Sequence, residues 1–406
     1  MSDITHVTAA EQTADPHVLR PEHEERMARL QVALQDADHD ATIVTDPANL
    51  YYLTGYNAWS FYMPQALLVP ASGLAHLVLR AMDARGGQHS ATLPEAQIHG
   101  YPEHYVHRTD IHPWEWIAER GRELGVLPAG PGRVTAELDA HYFTPRGFLA
   151  LGRTLPQLQL LDSQELVNWM RAVKSDTEIA LMRAAGQVTR QAMRAAIDAL
   201  QEGRRQCDVV SDIQCAQSKG TPSLGGDYPA IVPMLPTGST AGTPHLTWCE
   251  DTLRRGEATT IELAGVHRRY HVPLARTVSL GPPPPRLART AEATGLALEK
   301  ALAAMRPGST PALVHRAFTQ ELSRHGLHKD SRIGYSIGIG YPPDWGERTV
   351  SLRSEDDTPL RPGMCFHMIL GMWMDDWGYE TSESVLVTDD GPELLAPFDQ
   401  GLVIHP

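Results

Sequence analysis

In the first 165 or so residues, short apolar runs alternate with segments of helical periodicity. The runs are separated by turn signals such as Asp46-Pro47 and Ser72-Gly73. This alternation predicts a small α/β domain. The predicted helices cover 22–34 and 114–124, and the predicted strands cover 41–45, 65–70, 73–80 and a stretch that opens at Val134.

The pattern changes between residues 162 and 174, where we predict a domain boundary. Directly after it, Ser175 and Glu178 have the spacing of a capping box, in which each side chain binds the backbone N–H of the other residue. An apolar stripe with helical spacing follows. Later segments repeat the order of helix and strand, which favours an α+β domain with two related halves. The further predicted helices cover 287–305 and 312–325, and the predicted strands cover 259–263, 275–280, 365–373 and 383–388.

The length of 406 residues predicts two domains, because a single core rarely grows so large. We assign residues 1–17 to a flexible extension, 18–166 to an N-terminal domain and 167–406 to a second domain. The extension is polar and lacks the apolar stretch of a signal peptide. No window approaches the roughly 20 apolar residues that cross a bilayer, so we expect no membrane partner.

Charge and cysteine content narrow the range of partners. The formal charge of −14, with no Lys/Arg-rich run, argues against nucleic acid as a partner. The four cysteines include no CxxC pair and lack the density of a disulfide framework. We therefore expect reduced thiols in a cytoplasmic protein.

Three residues are candidates for acid–base chemistry. Glu262 and Glu383 lie in predicted strands, where a core-facing carboxylate needs a partner. His245 lies in a loop beside aromatic residues. Each also has an ordinary interpretation, since most glutamates lie on solvated faces and a lone histidine is more often a structural hydrogen-bonding group. Composition does not choose His245, because the chain has 19 histidines.

Other kinds of site have little support. No HExxH motif occurs, so the sequence does not predict a zinc site of that kind. Cys249 follows His245 by four residues, but nothing indicates an activated thiolate. The glycine-rich stretch 334–340 lacks the lysine and the following helix of a phosphate-binding loop. Its glycines are more typical of a tight strand edge.

Five landmarks occur in order across the second domain. They are 171–175 with Glu178-Ile179, then His245, then Glu262 with 275–277, then 334–338, and finally 383–387. In this order they resemble the creatinase, prolidase and methionine aminopeptidase superfamily, whose catalytic domain has the pita-bread fold. Residues 20–165 are similar to the N-terminal domain of creatinases and prolidases. The resemblance implies a creatinase/prolidase-type α/β domain followed by a pita-bread catalytic domain of the α+β class.

The resemblance also implies where a metal centre would lie, and this chain departs from it. The metallopeptidases of the superfamily hold two metal ions with two aspartates, one histidine and two glutamates. The matching positions here are Glu262, Pro273, Tyr335, Ile369 and Glu383. Proline and isoleucine side chains have no ligand atoms, and tyrosine is an unusual ligand. We therefore expect no dinuclear site and no cofactor, with His271 or His367 left as a ligand for a single ion.

Creatinase is a relative that works without a metal, and it suggests what the remaining polar residues do. A guanidinium or amidinium carbon is already cationic, so its hydrolysis needs carboxylates and a proton carrier more than a Lewis acid. By this resemblance Glu262 and Glu383 bind a small cationic or zwitterionic substrate, and His245 transfers protons. The amidine-ring hydrolases of the superfamily are most similar, which implies cleavage of a C–N bond in a cyclic amidine. The stretches that carry this similarity are 55–65, 101–105, 339–347 and 371–374.

The predicted substrate-binding residues are aromatic, and core packing explains any one of them equally well. They are Trp59, Phe61, Tyr62, Tyr335, Trp345 and Trp373. A substrate carboxylate needs a cation, for which Arg332, Arg348 and Arg353 are candidates. Creatinase-like proteins are homodimers, so the resemblance implies a homodimer in which residues 59–65 cover the partner's pocket.

Three other functions remain open at this point. They are a creatinase-like amidinohydrolase or another enzyme that cleaves a cationic osmolyte, a metallopeptidase for Xaa-Pro dipeptides, and a catalytically silent binding protein. Two metal ions per subunit would favour the peptidase, and the absence of any turnover would favour the binding protein.

Overall fold

The computed structural model describes residues 20–405, which divide into two units between Asn168 and Trp169. The predicted boundary after residue 166 lies at the start of α6 (Leu166–Arg171), the helix that contains this division. The extension predicted for residues 1–17 lies outside the described residues. Within 20–405, none of the helices combines the length and the apolar content needed to cross a membrane.

The first unit is a six-stranded sheet with helices. The strand order is β4-β3-β2-β1-β5-β6, and the β1–β2 and β2–β3 pairs are antiparallel while the others are parallel. Its strands are β1 (Ala41–Val44), β2 (Ala66–Pro70), β3 (His76–Arg80), β4 (Ile98–Tyr101), β5 (Gly132–Ala136) and β6 (Leu158–Asp162). Its helices are α1 (Arg20–Asp36), α2 (Pro47–Thr54), α3 (Ala84–Ser90), α4 (Pro113–Glu123) and α5 (Pro145–Thr154).

The second unit contains an eight-stranded sheet of order β13-β12-β11-β9-β8-β14, with β10 paired to β9 and β7 paired to β8. Its helices are α7 (Asp176–Ala199), α8 (Gln206–Lys219), α9 (Pro285–Ala304) and α10 (Pro311–Arg324). Its strands are β7 (Ala258–His267), β8 (Tyr270–Leu280), β9 (Gly334–Tyr341), β10 (Asp344–Ser351), β11 (Cys365–Trp373), β12 (Gly378–Thr388), β13 (Gly391–Leu394) and β14 (Val403–His405).

Helix α7 begins where the capping box predicts, and both hydrogen bonds of the box are present. The Glu178 N–H donates to the Ser175 hydroxyl over 3.2 Å, and the Ser175 N–H donates to the Glu178 carboxylate over 3.0 Å. The helix then packs against β7 at Gly265, where a Cβ would lie 2.2 Å from the backbone nitrogen of Thr189. A glycine at this position therefore allows the close contact between helix and strand.

Two apolar clusters cover the helix-facing side of the sheet in this unit. Ile261 and Leu263 of β7 pack in one cluster with residues of α7 and α8. Met368 and Leu370 of β11 pack in the other with residues of α9 and α10. Because side chains alternate along a strand, the residues between these apolar positions point to the opposite side of the sheet. That side carries the candidate site.

Candidate active site

The second unit contains a cavity of about 630 Å³ on the sheet side opposite the helices. Strands β7, β9, β11 and β12, the start of β10 and the loops before β7 and β9 supply its walls. Its titratable lining residues are His245, Glu262, Lys329, Arg332, Tyr335, Asp344 and Glu380. Its apolar lining includes Met234, Pro244, Ile369 and Trp373. Such a concave site with a few converging polar groups suits a small polar ligand.

Strand alternation brings two buried glutamates into this cavity. Glu262 lies between Ile261 and Leu263 of β7, both of which face the helices, so its side chain faces the cavity. Glu380 of β12 pairs with Gly371 of β11, on the same side as the other cavity residues of these strands. Glu262 is 7% exposed and Glu380 is 3% exposed, so both carboxylates are largely removed from bulk water.

Burial and like charges raise the pKa of both carboxyl groups. Burial is the main cause that raises the pKa of Glu262 to about 7, and the charge of Asp344 adds to it. Burial also raises the pKa of Glu380 well above its usual value, with the Glu262 charge adding to the effect and the Lys329 charge opposing it. Neither carboxyl makes a hydrogen bond or ion pair to another residue of the described chain. A cation close to both carboxyl groups would favour their ionised forms and lower both pKa values.

The predicted pairing of Glu262 with Glu383 is not found, and this corrects the expected site. Glu383 pairs with Met368, on the side of the sheet that faces the helices. It is fully buried, and its Oε1 accepts hydrogen bonds from Arg276 over 2.7 Å and from Gln400 over 3.2 Å, while Oε2 has no partner. Because Glu383 and Glu380 are an odd number of residues apart, the pleat places them on opposite faces.

His245 does line the cavity, together with Glu262. It follows the short 3-10 helix Gly238–Gly242 and is exposed, with a left-handed φ of 66°. The positive φ turns the chain sharply between Pro244 and Leu246, which line different cavities of the unit. An exposed imidazole at the cavity wall is free to meet both water and ligand, as a proton carrier requires.

The aromatic residues predicted to bind substrate fall into three groups. Tyr335 and Trp373 line the cavity. Trp345 does not, because it is fully buried, where its Nε1–H donates to the Tyr335 hydroxyl over 2.9 Å. The remaining three, Trp59, Phe61 and Tyr62, belong to the first unit, and they stay a prediction for the partner's pocket.

Within the first unit these three residues differ in exposure. Phe61 is buried, with its ring centroid 5.6 Å from that of Tyr142. Trp59 and Tyr62 are 60% and 65% exposed. Two large exposed aromatic side chains so close in sequence are unusual for a monomer surface and suit an interface.

Trp373 is held in the cavity by a glycine. A Cβ on Gly371 would lie 2.1 Å from Cζ2 of the Trp373 indole, so the ring occupies the space beside the glycine two residues earlier on β11. Any side chain at position 371 would displace the ring. The stretch 371–374 therefore supplies an aromatic residue of the cavity wall, and it requires glycine at position 371 to make room for that ring.

Two cationic side chains line the same cavity as the acidic pair. Of the three arginines predicted for a substrate carboxylate, Arg332 lines the cavity, and its guanidinium lies 4.5 Å from the ring centroid of Tyr335. Arg348 and Arg353 are not among the lining residues, and Arg353 donates to the Ser351 hydroxyl. The second cation is Lys329, which was not predicted. Its Nζ donates to the Gly371 carbonyl, and burial lowers its pKa.

The residues at the metal positions of the peptidases do not fit a dinuclear centre. Ile369 lines the cavity and has no ligand atom. On β12, Ser382 rather than Glu383 shares the face of Ile369, and its hydroxyl is already hydrogen-bonded to the Ala275 N–H and to His367. In the described part of the chain, no group of three or more His, Cys, Asp or Glu side chains is arranged to hold a metal ion.

The two histidines left as ligands for a single ion are engaged as well. His271 is fully buried, its Nε2 accepts from the Ala230 N–H over 2.9 Å, and its Nδ1 lies 2.8 Å from the Arg269 carbonyl. His367 is also fully buried, with both ring nitrogens in hydrogen bonds. An imidazole whose two nitrogens are both bound within the protein has no lone pair to offer a metal.

Comparison with known proteins places these features in a family. A model described as metallopeptidase family M24 matches residues 180–389, and one described as the creatinase/prolidase N-terminal domain matches residues 26–173. The chain belongs to the metallopeptidase M24 family. The predicted architecture, a creatinase/prolidase-type domain followed by a pita-bread domain, is thereby confirmed.

Individual M24 relatives are similar over nearly the whole chain. The ectoine hydrolase of Halomonas elongata is 40% identical over 396 residues, which is 95% of this chain and 98% of the relative. An uncharacterized hydrolase/peptidase of Sinorhizobium fredii is 39% identical over 96% of this chain and 98% of its own length. The solved prolidase of Thermococcus sibiricus matches with a TM-score of 0.81, at 18% identity, over 94% of this chain and 99% of its own. This M24 protein is a hydrolase that acts on carbon–nitrogen bonds.

Proposed function

We propose that this M24 protein hydrolyses the cyclic amidine of ectoine to N-acetyl-2,4-diaminobutyrate without a metal ion. Ectoine is a six-membered ring that carries an amidinium cation and a carboxylate. The proposal is supported by the cavity with two buried carboxylates, Glu262 and Glu380, neither of which forms an ion pair or hydrogen bond with another residue of the described chain. The 40% identical ectoine hydrolase supports the choice of substrate.

The charges of the cavity complement those of ectoine. Glu262 and Glu380 hold the amidinium through charge-assisted hydrogen bonds, which are about twice as strong as neutral ones. Arg332 at the cavity wall binds the substrate carboxylate, for which its planar guanidinium is suited. Trp373 packs against the ring, where a cation gains roughly 0.5 to 2 kcal/mol from an aromatic face.

The reaction adds one water molecule and needs no redox partner. A bond forms between the water oxygen and the amidine carbon, and the bond from that carbon to one ring nitrogen breaks. Both water protons end on the departing nitrogen, which leaves as an ammonium group, and the carbon becomes the carbonyl of an acetamide. Because the amidine carbon already bears positive charge, attack does not require a Lewis acid.

The protein residues then have distinct roles. Glu262 orients the attacking water or bonds to the carbon itself, and a carboxyl whose pKa is about 7 can exchange a proton at neutral pH. His245 carries a proton from the water to the departing nitrogen. Positioned acid–base groups of this kind typically give roughly 10²- to 10⁴-fold. A single turnover in H₂¹⁸O distinguishes the two roles of Glu262 when the adduct is hydrolysed at its carboxyl carbon, because that route places a carboxylate ¹⁶O in the product, whereas water activation places ¹⁸O there.

We also propose that the protein works as a homodimer. The support is the pair of exposed aromatic residues, Trp59 and Tyr62, in a stretch that resembles the pocket-covering segment of creatinase-like dimers. Light scattering should give twice the mass of 44.7 kDa. A monomer with full activity would refute this proposal without affecting the cavity chemistry.

The experiment that tests the function is incubation of chelator-treated protein with ectoine, followed by proton NMR. We expect the ring resonances to be replaced by those of the acetylated open-chain product. Glu262→Gln should lower kcat/KM by at least roughly 10³-fold while the protein stays folded. Creatine and a Xaa-Pro dipeptide serve as comparison substrates. Turnover of the dipeptide that requires added metal, or no turnover of ectoine, would overturn the proposal.

A further inference from the structure

A line of hydrogen bonds runs behind the cavity and ends at Tyr335. The Trp345 Nε1–H donates to the Tyr335 hydroxyl over 2.9 Å. The His367 Nδ1 lies 3.2 Å from the same hydroxyl, and the His367 Nε2 lies 2.8 Å from the Ser382 hydroxyl. The Ala275 N–H donates to the Ser382 hydroxyl over 2.7 Å. The sequence indicated Tyr335 only as an aromatic wall.

Proton counting along this line assigns the tautomer of His367. The Ser382 hydroxyl is fully buried and needs an acceptor for its proton, and the acceptor within reach is Nε2 of His367. The histidine proton then lies on Nδ1, which donates to the Tyr335 oxygen. The opposite tautomer leaves the buried Ser382 hydroxyl proton without an acceptor, which is unfavourable for a buried polar group. Burial lowers the pKa of His367 to about 3, so the ring is neutral.

This arrangement leaves one direction for the Tyr335 proton. The tyrosine oxygen accepts from Trp345 and from His367, so both of its lone pairs are taken. Its own O–H must point to the remaining side, and Tyr335 lines the cavity. Burial, with the Glu262 charge next, raises the pKa of Tyr335 well above its usual value, so the phenol keeps its proton.

We infer that Tyr335 donates a hydrogen bond to the oxygen that enters the amidine carbon, and that His367 and Ser382 are positioning residues that hold its O–H in that direction. The inference rests on the proposed function. An amidinium presents N–H donors and no lone pair, so before the reaction the Tyr335 proton has no acceptor on the ring. The entering oxygen provides one in the tetrahedral intermediate, where it carries negative charge after its protons have passed toward the departing nitrogen and before the carbonyl forms. The interaction therefore belongs to the transition state and not to substrate binding.

Tyr335→Phe removes this donor and keeps the ring. We expect kcat for ectoine to fall by roughly 10²- to 10³-fold, as for loss of an oxyanion donor, with KM nearly unchanged. Tyr270→Phe is the matched control, because it removes a buried tyrosine hydroxyl of the same unit that donates to Glu178 over 2.9 Å. A Tyr335→Phe variant that keeps its kcat, or that raises KM alone, would overturn the assigned role.

The positioning role is tested by two amide substitutions. His367→Asn keeps an N–H close to the position of Nδ1, whereas His367→Gln places its amide near Nε2. We expect the Asn variant to retain kcat within about tenfold of the wild type and the Gln variant to lose as much as Tyr335→Phe. In a double variant with Tyr335→Phe, the Gln substitution should lower kcat no further, because both substitutions remove the same interaction. Additive losses would show that His367 supports the fold only.

A measurement on the unaltered protein decides the tautomer without any turnover. With ¹⁵N-labelled histidine, the His367 signals are identified as those missing from the His367→Asn spectrum. We expect a protonated Nδ1 and an unprotonated Nε2 at neutral pH. The opposite tautomer would overturn the inference even if ectoine is hydrolysed. The expected tautomer in a protein that does not open ectoine would refute the proposed function and leave the direction of the Tyr335 proton intact.

Discussion

Two glutamates of β12 lie three residues apart and have opposite surroundings. Glu383 faces the helix side, where the Arg276 guanidinium donates to it over 2.7 Å at a fully buried site. Glu380 faces the cavity, where no residue of the described chain makes a hydrogen bond or ion pair to its carboxyl. Burial of a carboxylate therefore does not by itself mark a catalytic residue. The informative feature is a buried carboxylate that lines a cavity and forms no ion pair with the described chain.

The same contrast separates Glu262 from Glu347 elsewhere in the unit. Glu347 is buried as deeply, but the Lys174 ammonium lies 2.6 Å from it and the Arg171 guanidinium lies 3.6 Å from it. Glu262 has like-charged Asp344 near it instead of a cation. An ion pair fixes a side chain in the fold, whereas Glu262 and Glu380 form no such pair in the described chain and suit a cationic ligand that would favour their ionised forms.

The substitution Glu383→Ala leaves Arg276 buried without its carboxylate. We expect a loss of roughly 3 to 5 kcal/mol in the free energy of unfolding, because breaking one side of a buried ion pair leaves an uncompensated charge. Turnover of ectoine by the folded fraction should stay within about threefold of the wild type. Urea denaturation and activity at low temperature measure the two effects. Wild-type stability with abolished turnover would show that Glu383 is the catalytic partner after all.

The second test uses pH. The folded-state pKa of Glu262 is about 7, above its ordinary value of 4.5. Between these pH values Glu262 holds a proton in the folded protein but not in the unfolded chain. The protonated carboxyl therefore contributes fully to the free energy of unfolding below about pH 4.5, and this contribution is lost as pH rises through 7. At about 1.4 kcal/mol per pKa unit, the loss is on the order of 3 kcal/mol.

Glu262→Gln does not titrate at this position and provides the reference for that measurement. Urea denaturation at pH 4.5 and 7.5 should show the wild type losing stability relative to the variant as pH rises. If the difference in the free energy of unfolding between the two proteins stays constant from pH 4.5 to 7.5, a cation already neutralises Glu262 in the free protein.

The smallest expected effect comes from Gly371→Ala, which displaces the Trp373 ring from the cavity. Loss of a cation–aromatic contact is worth roughly 0.5 to 2 kcal/mol, so KM for ectoine should rise by about tenfold with a smaller change in kcat. Gly295→Ala in α9 is the control, because a Cβ there meets nothing within 4 Å. Equal KM values in the two variants would remove Trp373 from the substrate site.

Much of the fold could be predicted from the sequence because its signals are local. Apolar periodicity gives the helices, and the Ser175–Glu178 spacing gives the start of α7. Glu262, His245, Tyr335 and Trp373 could be predicted as site residues and do line one cavity. Their chemical roles stay proposals.

The wrong partner for Glu262 has a physical cause. The position of the strand was predictable, but the face on which a side chain lies changes from one residue to the next. The β12 residue that pairs with Ile369 on the cavity side is Ser382, and the sequence prediction chose Glu383, one residue later, which faces the helices. Once the pairing of β11 with β12 is known, Glu380 can be identified, because its partner Gly371 lies two residues from Ile369 and therefore on the same face of the sheet. Lys329 and Asp344 come from separate loops and strands, and a linear sequence gives no sign of their convergence.

The roles of the two β12 glutamates are compared by measuring kcat/KM for ectoine in Glu380→Gln and in Glu383→Gln, both on chelator-treated, folded protein. If the unmatched carboxylates bind the amidinium, Glu380→Gln should lose at least roughly 10²-fold and Glu383→Gln should stay within about threefold of the wild type. Full activity in Glu380→Gln together with loss in Glu383→Gln would show that Glu383, and not Glu380, binds the amidinium.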